Sequence, residues 1–150
     1  MLIAVEKRGA GMGRVRFAAI SDTSADSLLP AIEELIELGS VVATDGHAGY
    51  NGVVGAGYMH DRHSLYASGD PAHIAMPRVH RIASLLKRWL LGTHQGAVRP
   101  QQLDYYLDEF TFRFNRRQSN HRGLLFYRLL EQAVKIDHVP LTAIIAGRRS

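Results

Sequence analysis

The sequence contains no cysteine, so neither a disulfide nor a zinc–thiolate centre can form. No apolar run reaches the roughly 18 residues that a membrane-spanning helix needs. The N-terminal residues MLIAVEKRG lack the basic stretch and long apolar core of a secretory signal peptide. Internal repeats and low-complexity tracts are also missing, and only 21% of the residues are charged. These absences favour a folded cytoplasmic protein over a disulfide-rich, membrane-spanning or disordered one.

The charge of the chain is distributed unevenly. Its 150 residues, 46% of them hydrophobic, are enough for a single domain with a core over residues 1–150. Residues 1–75 carry five Lys or Arg against nine acids, a balance of −4, whereas residues 76–150 carry thirteen against five, a balance of +8. A basic half favours a polyanionic partner, most often nucleic acid. A solvated basic surface without a partner explains the same charge.

Short strands are predicted in the first half of the chain. Residues 2–5 and 14–20 have the pattern of a β-hairpin, with a glycine-rich loop longer than the tightest kind. Residues 40–45 predict a buried strand, and residues 57–71 predict one more strand that fades into a loop.

A helix is predicted between the hairpin and the third strand. Ser24 is placed to cap its N-terminus and Gly39 to cap its C-terminus. Pro30 lies inside the pattern and predicts a kink or a break after the first turn.

Three helices are predicted in the second half. The first contains RVHRIASLLKRWLLGTHQ (residues 78–95), and the others cover residues 99–117 and 123–135. The apolar stripe of the first consists of Ile82, Leu85, Leu86, Trp89 and Leu90. Strands followed by helices predict an α/β domain with a small mixed sheet and helices grouped toward the C-terminus.

Three groups of polar residues are candidates for chemistry. Asp45 ends a predicted central strand, where a carboxylate can hold a divalent metal or can simply begin a turn. His80 and Lys87 lie with Ser84 and Leu91 on the helix face opposite the stripe, which is either a binding face or a solvated one. The third group is FRFNRR (residues 112–117), whose arginines suit phosphates but also suit an ordinary helix end.

Taken together, four segments of the sequence resemble one known family. They are VVATDGHAGYNGVVGAGYMH, LLKRWLLGTHQGAV, YLDEFTFRFNRR and FYRLLEQAV. In this order and spacing they resemble the catalytic domain of bacterial insertion-sequence transposases of the DDE/N type, in the ISXO-like group. The resemblance extends from about residue 2 to about residue 135.

The resemblance implies a ribonuclease-H-like fold and metal-dependent DNA cleavage and strand transfer, with Mg²⁺ or Mn²⁺ as the cofactor. Asp45 matches the second metal-binding aspartate of the family. His80 occupies the position of the third catalytic residue, where Glu or Asn is usual, and imidazole can also ligate a metal. Lys87 matches a lysine of the family motif, and we count it with the catalytic residues.

DNA is the partner that the resemblance implies, both as the ends of the insertion sequence and as its target, in a nucleoid-associated bacterial protein. The residues expected to contact DNA are Arg81, Lys87, Arg88, His94, Arg113, Asn115, Arg116 and Arg117.

One departure from the family pattern lies at the front of the sequence. The first aspartate of the family belongs to a motif like DETYVGG that comes before a strand like LIAVEKRG, and neither Glu6 nor Asp22 stands in that context. We therefore expect a partial domain that lacks the first strand, is inactive by itself and forms homo-oligomers or aggregates through an exposed strand edge. The alternatives are a non-catalytic DNA-binding remnant of a transposase, or a generic α/β domain with a basic surface.

Overall fold

The computed structural model describes residues 1–63, 76–95 and 98–146. Its elements, in chain order, are β1 (Leu2–Arg8), β2 (Gly11–Ala18), α1 (Ala25–Leu35), β3 (Val41–Thr44), β4 (Met59–Arg62), α2 (Pro77–His94), α3 (Leu103–Asn115), α4 (Arg122–Ala133) and α5 (Leu141–Ala146). Short 3₁₀ turns at Ala48–Tyr50 and Pro100–Gln102 precede β4 and α3. The predicted α/β class is confirmed, as two small sheets and several helices. No helix in these described ranges is long and apolar enough to cross a membrane.

The hairpin of β1 and β2 is tighter than its glycine-rich sequence predicts. Arg8 pairs with Gly11, so the turn is only two residues long, and Gly9 supplies the positive φ of 54° that the turn uses. The register shifts between Val5 and Lys7, which marks a β-bulge. The predicted longer loop was therefore wrong, because the polar residues around the glycines continue both strands.

One face of the hairpin packs against α2 and α3. Val15 at its centre has no exposed surface and lies in one cluster with Ile82 and Leu86 of α2 and with Leu107 and Phe110 of α3. The remaining residues of the α2 stripe, namely Leu85, Trp89 and Leu90, pack around this cluster. The stripe predicted for the opening helix of the second half is confirmed.

The other face of the hairpin lies against α1. Arg16 Nη1 donates to the carbonyl of Leu35 at the end of α1, at 2.9 Å. Ile32 of α1 also packs with Val42 of β3, and Leu2 of β1 joins the same cluster. Helix α1 runs through Pro30 without a break and ends at Leu35, before the predicted cap at Gly39.

The two sheets each contain two strands in the described part of the chain. β1 pairs with β2 in antiparallel fashion, and β3 pairs with β4 in parallel fashion, from Val41 with Met59 to Thr44 with Arg62. β1 and β3 therefore each have a strand partner on one side only.

A pair of hydrogen bonds joins the end of α3 to β2, between residues 100 positions apart in the sequence. Asn115 Oδ1 accepts from the backbone N–H of Val15 at 2.7 Å, and Asn115 Nδ2 donates to the carbonyl of Val15 at 2.9 Å. The amide side chain thus satisfies both backbone groups of a buried residue, as a neighbouring strand would.

We predict that Asn115→Ala lowers the free energy of unfolding by about 2 kcal/mol, because two part-buried hydrogen bonds are lost and two backbone groups are left unsatisfied. Urea denaturation followed by circular dichroism measures the change. Asn120→Ala, at an exposed position after α3, is the matched control. Equal stability of the two variants would contradict the role assigned to Asn115.

Candidate functional site

The polar face of α2 is exposed along most of the helix. His80, Ser84, Lys87 and Leu91, predicted to lie opposite the apolar stripe, are all exposed. Arg81 and Arg88 flank the same row and are exposed as well. We call these six residues the α2 outer face.

The α2 outer face has an unbalanced positive charge. The helix contains no acidic residue. Among the described residues, Arg81, Lys87 and Arg88 have no ion pair or side-chain hydrogen bond, whereas Ser84 Oγ donates to the carbonyl of His80 at 2.9 Å. A shallow groove of about 330 Å³ is lined by Arg81, Ser84, Leu85 and Arg88. Its guanidinium groups are available to an anion in solution.

Other arginines of the basic half serve the fold. Arg78, in the first turn of α2, donates to the carbonyls of Gly9, Ala10 and Gly11 in the hairpin turn at 3.0 to 3.4 Å. Arg117 donates to the carbonyl of Met12 at 2.6 Å. These two side chains bind the hairpin tip from α2 and from the end of α3.

The remaining members of the FRFNRR segment also have partners within the chain. Arg113 pairs with Glu109 one turn earlier, at 2.8 Å. The guanidinium of Arg116 lies 3.9 Å from the centre of the Phe112 ring, in cation–π geometry. The structure thus gives each predicted DNA contact in this segment an intramolecular partner, and their contact with DNA stays a prediction.

His94 ends α2 in an aromatic environment. Its ring centre lies 5.0 Å from that of Trp89 and 4.5 Å from that of Tyr106. Its Nε2 is buried and has no hydrogen-bond partner in the described structure. His94 therefore joins α2 to α3 by packing, and a DNA contact through this residue is untested.

Asp45 lies immediately after β3, as predicted, and takes part in a turn. Its Oδ1 accepts from the backbone N–H of His47 at 3.1 Å, which is the turn-forming role that the sequence left open. His47 Nδ1 in turn accepts from Gly49 N–H at 3.1 Å. The Asp45 carboxylate remains exposed to solvent.

Three residues that the sequence did not single out organise this turn. Thr44 is only 4% exposed, and its Oγ1 shares a hydrogen bond with His60 Nε2 at 2.8 Å and accepts from Gly46 N–H at 3.3 Å. Arg62 Nη2 donates to the carbonyl of Gly46 at 2.8 Å. His60 and Arg62 are two residues apart on β4, so the parallel pairing of β3 and β4 brings both to the turn. To find them from the sequence, the register of this pairing would have to be known, and no local pattern contains it.

The charge of Asp45 affects the pKa of Tyr50, which lies in the short 3₁₀ turn that follows. Burial of the hydroxyl raises the pKa of Tyr50 above its ordinary value, and the negative charge of Asp45 raises this pKa further. The negative charge of Asp45 thus opposes ionisation of the Tyr50 phenol.

The family model of the ISXO2-like transposase domain matches residues 1–115, which is more than half of the chain. This chain belongs to the ISXO2-like transposase domain family. Neither a curated protein nor a solved structure gives a significant match.

Transposases of the DDE type generally use divalent metal ions, and a magnesium site in this domain would need several oxygen donors close together. In residues 1–63, 76–95 and 98–146, no group of three or more His, Asp or Glu side chains is placed to hold a metal ion. Asp45 already accepts one backbone hydrogen bond, and an imidazole such as that of His80 is a poor ligand for Mg²⁺, which prefers oxygen. The described donors therefore do not form a magnesium site.

We predict that Asp45→Asn lowers the pKa of Tyr50 toward its ordinary value of 10.0, because the amide removes the charge and keeps the acceptor for His47. Because the folded-state pKa of Tyr50 is raised, the contribution of this tyrosine to stability is fully present at pH values below 10.0. It is lost as the pH rises through the folded-state pKa. Ultraviolet titration of the phenolate, with the Tyr50→Phe spectrum subtracted, measures it. Asp61→Asn, on the neighbouring strand, should leave the pKa of Tyr50 unchanged; a shift as large as that of Asp45→Asn would contradict the assignment.

Proposed function

We propose that this transposase domain binds DNA through the α2 outer face, with Arg81, Lys87 and Arg88 against backbone phosphates. The observation that carries the proposal is that these three cations are exposed and lack intramolecular partners in the described structure, whereas Arg78 and Arg117 are committed to the hairpin. Contacts to phosphates give affinity without reading sequence. The proposed activity is therefore non-specific binding to duplex DNA with a strong dependence on salt.

The geometry of a helix supports this assignment. Arg81 and Arg88 are seven residues apart, two turns along one side of α2, and Lys87 lies beside them. Two helical turns span about 11 Å, and adjacent phosphates on one DNA strand repeat at a spacing of several ångströms, so the row can contact more than one phosphate. The absence of an acid on α2 leaves this potential uncompensated.

We predict that Lys87→Gln and Arg88→Gln each weaken duplex binding and lower the slope of log affinity against log salt by about 0.9, the value for one phosphate contact. Fluorescence anisotropy with a labelled duplex, between about 50 mM and about 200 mM salt, gives both quantities. Arg113→Gln removes the same charge from a side chain paired with Glu109 and is the matched control.

A thermal melt of each variant separates loss of binding from loss of folding. Absence of binding by the folded wild-type chain at low salt would contradict the DNA-binding proposal. Equal weakening by Arg113→Gln and Lys87→Gln would contradict the assignment to α2.

A second proposal is metal-dependent strand transfer with Asp45 as one ligand, which family membership and the exposed carboxylate after β3 support. Further oxygen ligands would have to join Asp45, because the imidazole of His80 is a poor ligand for Mg²⁺. One additional strand between the unpaired edges of β1 and β3, both of which pack with α1, would unite the two sheets. We propose that the domain has a ribonuclease-H-like fold when such a strand joins the two sheets.

We expect any Mg²⁺- or Mn²⁺-dependent joining of duplexes that carry the DNA flanking the reading frame to fall to the metal-free background in Asp45→Asn. Gel electrophoresis of the joined products measures it, and Asp61→Asn is the control because it removes an exposed carboxylate from the neighbouring strand. His80→Glu, which places an acid at the usual position, is expected to increase the activity. Metal-dependent products that persist in Asp45→Asn would refute the role of this carboxylate. Because the chain is expected to be inactive by itself, each variant is assayed with the additional strand and its aspartate supplied in cis, and no product from either the wild type or His80→Glu under these conditions would refute the strand-transfer proposal.

A further inference from the structure

Helix α4 exposes an apolar face that nothing in the described structure covers. The face consists of Phe126, Leu129, Leu130, Ala133 and Val134, with Tyr127 at its edge, and we call it the α4 apolar face. Phe126 is 62% exposed and Leu130 43%. Helix α4 makes no extensive contact with any other described helix or strand. A folded helix of this composition is normally stabilised by packing of its apolar face.

A second apolar surface, on the sheet of β3 and β4, is also uncovered in the described part of the chain. Val42 and Thr44 point toward α1 and are buried, so the alternate residues Val41 and Ala43 point away from it. Val41 is 60% exposed and its neighbour Met59 is 58% exposed. We call Val41, Ala43 and Met59 the outer sheet face.

The two surfaces match in shape and chemistry. Two paired strands are about 5 Å apart, so with their side chains they form a strip about as wide as the roughly 10 Å diameter of a helix. The residues of the α4 apolar face carry no charge, and the charges of Arg128 and Glu131 are paired with each other at 2.8 Å on the opposite side of the helix. The apolar outer sheet face provides a complementary layer for these apolar residues.

We propose that a second copy of this chain covers both surfaces, with α4 of each copy docked on the outer sheet face of the other. Such an exchange is isologous, so one pair of complementary surfaces is used twice around a twofold axis. The seven larger apolar side chains of the two surfaces are each 43% to 81% exposed. The exposed area of these side chains is roughly 700 Å² per copy, close to the ~800 Å² that each partner buries in a standard interface. The described residues of a single copy leave both surfaces exposed, and the proposed pair covers both surfaces of each copy.

The oligomeric state of the full chain tests this inference independently of DNA binding and of catalysis. In light scattering coupled to size exclusion, the wild type is expected to have twice the mass of the 150-residue chain and to dissociate on dilution. Leu130→Glu on α4 and Met59→Lys on the sheet are each expected to give monomers. Val54→Asp, at a 62% exposed valine outside both surfaces, is expected to stay dimeric.

Mixing the two monomeric variants distinguishes this exchange from other dimers. In the mixed pair, α4 of the Leu130→Glu copy faces the sheet of the Met59→Lys copy, so opposite charges meet at that contact. The other contact joins the unchanged α4 to the unchanged sheet. A dimer of one copy of each variant is therefore expected. A wild-type chain that stays monomeric would overturn the proposal. Dimers that survive Met59→Lys would also overturn it, because they would show that α4 pairs elsewhere. Circular dichroism confirms that each variant is folded.

Discussion

The hydrogen bonds between Asn115 and the backbone of Val15 are the constraint on which the packing of the hairpin with α2 and α3 depends. They join residues that are 100 positions apart in the sequence. Val15 is completely buried, so its N–H and carbonyl need partners within the protein, and the amide of Asn115 supplies both. Arg78 and Arg117 extend the same principle to the hairpin turn. Arg78 holds the start of α2 to the hairpin turn, and Ile82 and Leu86 of α2 pack against the hairpin. The outer face of α2 therefore points away from the hairpin.

The basic half of the chain therefore combines two different uses of positive charge. Some arginines donate to backbone carbonyls, and others are exposed and have no partner among the described residues. The sequence alone does not distinguish the two groups. Arg78 and Arg81 illustrate the difference, because they are less than one turn apart on α2 and, within the ranges that the structure describes, Arg78 has hydrogen-bond partners and Arg81 has none. Net charge indicates that a polyanion is a plausible partner, and only the contacts of each guanidinium indicate which residues are available for it.

Local periodicity predicted the elements well and the contacts between them poorly. The stripe through Ile82 and Leu86 and the place of Asp45 after β3 follow from patterns within a few residues. The partners of Asn115 and Thr44 depend on strand register and on packing across the chain, which no local pattern contains. Helix α4 shows the opposite difficulty, because its amphipathic sequence correctly predicts a helix while the surface that should cover it is not found in the described structure.

The binding of Arg78 to backbone carbonyls has a consequence for how the sequence can vary. Every residue type has the same carbonyl, so Ala10 in the hairpin turn could be exchanged for many residues without loss of this contact. Arg78 itself is less replaceable, because a lysine ammonium lacks the planar fork with which Nε and Nη2 reach separate acceptors. Substitutions should thus be tolerated in the hairpin turn but not at Arg78 of α2. The interaction is one-sided, and a change at Arg78 could not be compensated by a second substitution in the turn.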